Sequence, residues 1–380
     1  MCAIDAQILK SEWDEPTGPN AGVLKMRDTV RGSLYPKKAA RVLCVLLATG
    51  LLLLGACLPK SGSGTRKGGA RVITLYGFSV MKEALDAAVL PAFTEKWKRE
   101  QGEDVRFITS YAGSETITNQ ILQGVTADVG VFSIERDVQR LVEKGLVKAD
   151  WKNGLPNNSV VNKSPFVILV RKGNPKGIHD FPDLAKPGVG LIHPDPDGSG
   201  GAQWSILAIY GSELKKSQAE SGTPDPARAL NLLKSIWRNV KATPDSARAA
   251  RTTFETGYFD ALITYELEGL LMKQSGAPFE IVIPRSTIFS EHPAVLIDKN
   301  VTEDERPLLD AFMQYLWSDE AQQAFVKYHF HAVTNEAFND ANKEFAHVEL
   351  PFTVGELFGG WPRAYPDIID GVWRKQVKQK

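Results

Sequence analysis

With 380 residues the chain is longer than one hydrophobic core usually holds, which points to about two domains. Its 43% hydrophobic and 24% charged residues are ordinary for a globular protein and exclude a disordered chain or a membrane bundle. Forty-five basic residues balance 45 acidic ones and no basic run is interleaved with aromatics, so nucleic acid is excluded as a partner and any affinity for anions has to be local.

Near the N-terminus, Lys37, Lys38 and Arg41 lead into the apolar run Val42 to Leu54. That run is too short to span a bilayer as a mature helix but suits a secretory signal peptide. It ends in Leu54-Gly55-Ala56-Cys57, which resembles the bacterial lipobox, in which small residues admit the signal peptidase and the Cys becomes the lipidated first residue. Residues 1–36 fit no signal peptide, whereas a start at Met26 instead of Met1 gives a conventional basic leader. Residues 1–56 are thus expected to be an N-terminal extension and signal peptide, and 57–70 the lipidated Cys57 followed by a flexible Gly/Ser-rich linker. Of Cys2, Cys44 and Cys57 only the last outlasts such processing, so the exported domain is expected to have no disulfide and no cysteine-based metal site.

From Arg71 onward short apolar runs alternate with helical ones. Val72–Tyr76 reads as strand, Val80–Gln101 as helix, Val105–Thr109 as strand, Thr116–Gly124 as helix and Val129–Phe132 as strand. Phe166–Val170 and Gly190–His193 then read as strands, Gln203–Tyr210 as helix, Leu262–Tyr265 and Ile281–Ile283 as strands, and Pro307–Tyr328 as one long helix. The alternation predicts an α/β fold with a largely parallel sheet, and ligands of such sheets bind beyond the carboxyl ends of the strands.

Four of those strand ends lead into turns with Ser and small residues at a predicted helix start: Gly77-Phe78-Ser79-Val80, Tyr111-Ala112-Gly113-Ser114, Asp197-Gly198-Ser199-Gly200-Gly201 and Pro244-Asp245-Ser246-Ala247-Arg248. The first amides of a helix lack intrahelical partners and carry the positive end of its dipole, so they can hold an anion without Lys or Arg. In the third turn Ser199 is the expected N-cap, and Gly200 and Gly201 leave the amides open to an oxyanion. The same residue types also make ordinary strand-to-helix turns.

Other chemistries fit less well. Asp197-Gly198-Ser199-Gly200-Gly201 differs from the protease motif Gly-Asp-Ser-Gly-Gly by a transposition, and no His is spaced to serve Ser199, so a secreted serine hydrolase is only a remote alternative. There is no Gly-x-x-x-x-Gly-Lys-[Ser/Thr], hence no nucleotide site of that type. His193, Asp195 and Asp197 alternate, but the prolines between them favour a turn over a metal site; neither metal nor cofactor is expected.

The segments Ala112-Gly113-Ser114, Leu155-Pro156-Asn157-Asn158-Ser159, Val170 to Lys176 with Ile178-His179-Asp180, Ser199 to Ala202 with Trp204, Phe289-Ser290-Glu291 with Pro293, and Phe358 to Pro362 occur in the order found in one family. Over about Val72–Val377 the chain resembles the sulfate- and thiosulfate-binding proteins of bacterial ABC importers. The resemblance implies a two-lobed periplasmic-binding-protein type II fold with a ligand cleft between the lobes. Residues 71–163 would form the first part of lobe 1, 164–265 lobe 2, and 266–380 the return to lobe 1 with C-terminal helices crossing between lobes.

The resemblance also implies a dehydrated sulfate held by neutral donors. Carried over, Ser114 matches a donor of the first lobe, and Ser199, Gly200, Gly201 and Ala247 match donors of the second. The family's Asp after the first strand, which donates its amide, falls on Val80 beside Ser79, and its cleft Trp falls on Tyr265, which can donate through O–H. Asp197 and Arg251 also depart from the family pattern. An ionised Asp197 turned into the cleft would oppose sulfate and favour hydrogen phosphate, and Arg248 and Arg251 could neutralise a dianion. The expected protein is a monomeric, lipid-anchored periplasmic receptor that is not an enzyme and that passes sulfate or thiosulfate to an ABC permease, with phosphate or molybdate as the alternative ligand.

Overall fold

The computed structural model describes residues 69–378; the signal segment, Cys57 and all of the linker before Gly69 lie outside the described residues. The described residues form ten strands of one connected sheet: β1 (Arg71–Phe78), β2 (Val105–Ala112), β3 (Val129–Val131), β4 (Val160–Arg171), β5 (Leu191–Ile192), β6 (Val240–Ala242), β7 (Ala261–Tyr265), β8 (Phe279–Val282), β9 (Ser286–Leu296) and β10 (Leu350–Phe352). The order is β2-β1-β3-β9-β4-β7-β5-β6, with β10 on β9 and β8 on β4. One end of the path, β2-β1-β3, is parallel, as is β6-β5-β7 at the other. Two half-sheets with parallel centres, joined through β4 and β9, make the two lobes.

The largely parallel sheet expected from sequence is in fact mixed. β4 runs antiparallel to β7, β8 and β9, and β9 runs antiparallel to β3. The reason lies in how β4 and β9 pass between the half-sheets. β4 pairs with β9 through Pro165, then with β7 from Phe166 onward. β9 pairs with β4 up to Pro293 and with β3 from Ala294. Proline has no N–H for the ladder, so in both strands it stands where the partner changes. Beyond Pro165 the run Phe166–Val170 is wholly buried, covered on both faces like a central strand.

The helix expected over 80–101 is present but uneven, with a 3-10 turn at Ser79–Met81, a π turn at Leu85–Val89 and an α-helix at Leu90–Gln101 closed by Gly102 at φ 72°. The single helix expected over 307–328 is two, Arg306–Tyr315 and Asp319–Lys327, because Ser318 interrupts it and caps the second by accepting from the Ala321 amide. The Gly200–Ser221 helix is buried along nearly all of its first five turns, which is why its sequence carries no polar stripe. It lies against β9 and the Pro226–Trp237 helix. Among the described residues no helix is long and apolar enough to cross a membrane.

Candidate functional site

The four Ser-bearing turns meet where the lobes face each other. Gly113, at the N-cap of the Ser114–Leu122 helix, lies so close to the opposite lobe that a Cβ there would stand 2.2 Å from the Gly198 carbonyl oxygen and 2.8 Å from that of Asp245. A Cβ on Gly200 would meet Ser133 at 2.8 Å, and one on Gly201 would meet the Tyr265 hydroxyl at 2.9 Å and Ala247 Cβ at 3.2 Å. Glycine is thus required at three points by close approach rather than by backbone angle. The first turn joins through Phe78, whose ring is 6.1 Å from that of Tyr265, and through Glu83, which receives Arg248 Nη2 at 2.7 Å. Ser79 and Val80 follow Phe78 in the opening turn of that helix, with Val80 buried.

Local sequence makes these helix starts. Ser199 caps the Gly200–Ser221 helix by accepting from the Ala202 amide at 3.3 Å, and Ser246 caps the Ala247–Glu255 helix by accepting from Ala249 at 3.1 Å. At the first helical positions, no acceptor among the described residues takes the amides of Gly200, Gly201 or Ala247. All three residues are buried, where a hydrogen bond to an anion is worth most.

Sequence reasoning missed Ser133, which the structure puts at the centre. It follows β3 and is fully buried. Its amide donates to Ser114 Oγ at 2.9 Å, its hydroxyl bonds the Tyr265 hydroxyl at 2.8 Å, and its carbonyl accepts from the Trp204 indole at 2.7 Å. Three of the segments singled out in the sequence therefore converge on one residue that carried no motif. Its only local signal is its place between a buried strand and a helix. Burial raises the pKa of Tyr265 well above the usual phenol range, so it stays a hydroxyl donor.

The charged candidates are engaged elsewhere. Arg248 is held by Glu83 and by the fully buried Glu268, at 2.7 Å for Nη2 to Glu268 Oε1. Burial lowers its pKa, but Glu268 and Glu83 more than offset that and raise it. Arg251 is spent on Glu268 at 3.2 Å and Glu255 at 3.1 Å. Asp197 does not enter the seam. It accepts from Arg374 at 2.8 Å and from Lys378, and these partners lower its pKa despite partial burial. The C-terminal segment that supplies them also lays Tyr365 under the Arg136 guanidinium, 3.5 Å away.

No His touches Ser199 among the described residues; His193 bonds Ser205 and the Pro194 carbonyl, and burial lowers its pKa to about 4. Nor do the described residues contain a cluster of three His, Cys, Asp or Glu able to hold a metal. A cavity of about 680 Å³ lined by Lys163, His331, Lys343 and Phe352 includes none of the seam residues.

A two-lobed frame around a seam of neutral donors is the build of a solute receptor. The family described as bacterial extracellular solute-binding protein matches residues 73–331. The chain belongs to that family. It is similar to the sulfate-binding protein of Synechococcus elongatus, 32% identical over 338 residues, which cover 88% of this chain and 94% of the relative. The thiosulfate-binding protein of Escherichia coli K12 is 38% identical over 291 residues, 75% of this chain and 84% of its own. The solved sulfate-binding protein SubI from Mycobacterium tuberculosis H37Rv matches at 31% identity with a TM-score of 0.70, covering 78% of this chain and 99% of that one. The resemblance seen in the sequence is thereby borne out, as is the two-lobed fold. The chain is a binding protein and not an enzyme, and the serine-hydrolase alternative falls.

Proposed function

We propose that this receptor binds sulfate or thiosulfate between its lobes and delivers it to an ABC permease. The observation that carries the reading is the set of free amides at Gly200, Gly201 and Ala247, gathered with the hydroxyl of Tyr265 on one side of the seam and those of Ser114 and Ser133 on the other. Ser79, Val80 and Ser199 supply the remaining expected contacts. A dianion buried there is stabilised by helix-start dipoles and hydroxyl donors, while Arg248 acts at one remove, tying the lobes together through Glu83. Asp197, paired outward, lends no support to a phosphate site.

In this reading the first lobe comprises 71–163 and the return from 266, and the second 164–265, with β4 and β9 as the hinge. Closure is a hinge motion favoured by contacts that exist only with the anion enclosed. The mature receptor is a periplasmic monomer tethered by a lipid on Cys57, an assignment supported by Leu54-Gly55-Ala56-Cys57.

A thermal-shift series with sulfate, thiosulfate, phosphate and molybdate tests the ligand, since an anion that binds only the folded state raises the melting temperature. A rise of several degrees with sulfate or thiosulfate is expected. A rise confined to phosphate or molybdate would move the assignment to the alternative, and no rise with any of them would refute an oxyanion receptor.

A further inference from the structure

Asp137 lies directly behind the seam and forms no ion pair among the described residues. It is fully buried in the helix Glu135–Glu143, and its Oδ2 is bonded to Ser114 Oγ. Its Oδ1 has no partner among the described residues. The cations nearest to it are Arg136 and Arg140 on its own helix, and both are taken by Glu115 on the facing helix, at 3.2 and 2.5 Å. From the second lobe the neighbouring Gln203 is neutral and donates to Glu115 and to the Pro196 carbonyl, and Tyr265 is a neutral phenol. A bare carboxylate in this position would be buried, unpaired and next to the bound dianion, a costly arrangement in a low-dielectric site.

The hydrogen-bond count at Ser114 sharpens the point. Its Oγ has one proton and two lone pairs, and one lone pair already accepts the Ser133 amide. If Asp137 is ionised, the Ser114 proton is spent on Oδ2 and none is left for an anion. If Asp137 carries a proton, the same pair of oxygens is bonded in the opposite sense. Oδ2–H then donates into the second lone pair and the Ser114 hydroxyl proton is released toward the seam.

We infer that Asp137 is a proton-holding positioning residue, which must be neutral for Ser114 to donate to the oxyanion, so that on the alkaline side each anion bound takes up one proton. This rests on the reading of the seam as an oxyanion site. Burial, reinforced by Glu115, pushes the Asp137 carboxyl up to about 8, against the opposing pull of Ser114, Arg140 and Arg136. The group is thus protonated at neutral pH and titrates just above it. Tyr265 ionises far higher, and His292, pulled down to about 3 by burial, is neutral throughout this range.

Sulfate is the right probe because it has no proton to lose in this range. Calorimetric titrations from pH 6.5 to 9.5, in buffers of different ionisation enthalpy, should show affinity falling through pH 8. Binding at pH 9.5 should be about 30-fold weaker than at pH 7, with proton uptake approaching one per sulfate. Asp137→Asn keeps an N–H donor toward Ser114 but cannot titrate, and should bind near the wild-type level at pH 7 with a flat profile. Ser114→Ala should weaken binding and flatten the profile together. A flat wild-type profile, or a folded Asp137→Asn variant that loses sulfate at every pH, overturns the inference while leaving the oxyanion site standing. Failure of the wild type to bind sulfate at any pH overturns both.

Discussion

Replacing Gly113 with Ala tests whether the lobe contact described above is what holds the ligand. Gly113 has φ −58° and ψ 143°, angles any residue adopts, so Ala adds no strain to the first lobe. It does add a methyl group 2.2 Å from the Gly198 carbonyl oxygen and 2.8 Å from that of Asp245. Both obstacles are backbone atoms of the other lobe and cannot rotate aside. An ordinary carbon–oxygen contact is about 3.3 Å, so the lobes must part by roughly 1 Å. That displacement carries donors of one lobe out of hydrogen-bond range of an anion seated on the other. The loss of about two such bonds costs roughly 2 to 4 kcal/mol, about thirtyfold to a thousandfold in affinity. The melting temperature without ligand should hold or rise slightly, since Ala also restricts the unfolded chain. Sulfate calorimetry on the variant beside a ligand-free melt is the assay. Wild-type affinity within about threefold would refute the argument that binding requires this closed contact.

Three further outcomes are expected. Tyr265→Phe removes the hydroxyl partner of Ser133 and should weaken sulfate binding by about ten- to a hundredfold in calorimetry while barely altering the fold, because the ring keeps its packing against Phe166, 4.6 Å away. Ser199→Ala removes both an expected ligand donor and a helix cap, so a denaturant titration should report a loss of about 1 kcal/mol even without ligand, alongside weaker binding. Acid should destabilise the protein through His193 and His292. Burial depresses both, to about 4 and about 3, so as pH falls below about 6.5 the unfolded chain binds protons that the native state refuses. Stability therefore drops with falling pH across that window, and a double His→Gln variant that remains folded should flatten the decline in melts between pH 7 and pH 4.

The helix starts were legible because their chemistry is local. Ser199 and Ser246 reach amides only three residues ahead, and Gly200 and Gly201 stand beside the caps they serve. The strand β9, which passes between the half-sheets, was not. β9 holds Ser286, Thr287, Ser290 and His292 among its buried residues, and these polar side chains hid its strand character until β4 supplied partners: Thr287 donates to the Phe166 carbonyl, Ser290 to that of Ser164, and His292 bonds Asn162. Ser133 went unnoticed for the same reason, since its bonds run to Ser114, Trp204 and Tyr265, none of them a near neighbour in the chain.

By itself the sequence determined the alternation of strands and helices, the Ser and Gly residues at four helix starts, and the family. Each rests on propensity, capping or motif order within a few residues. Only the tertiary structure decided which charges reach the seam. Arg248 is claimed by Glu83, 165 residues away, and Asp197 by Arg374 and Lys378 near the other end of the chain. Among the described residues Asp137 is left without an ion pair, because Glu115 takes both arginines. Charge pairing acts through space at a few ångströms and is blind to separation along the chain, so no local pattern could have assigned those partners.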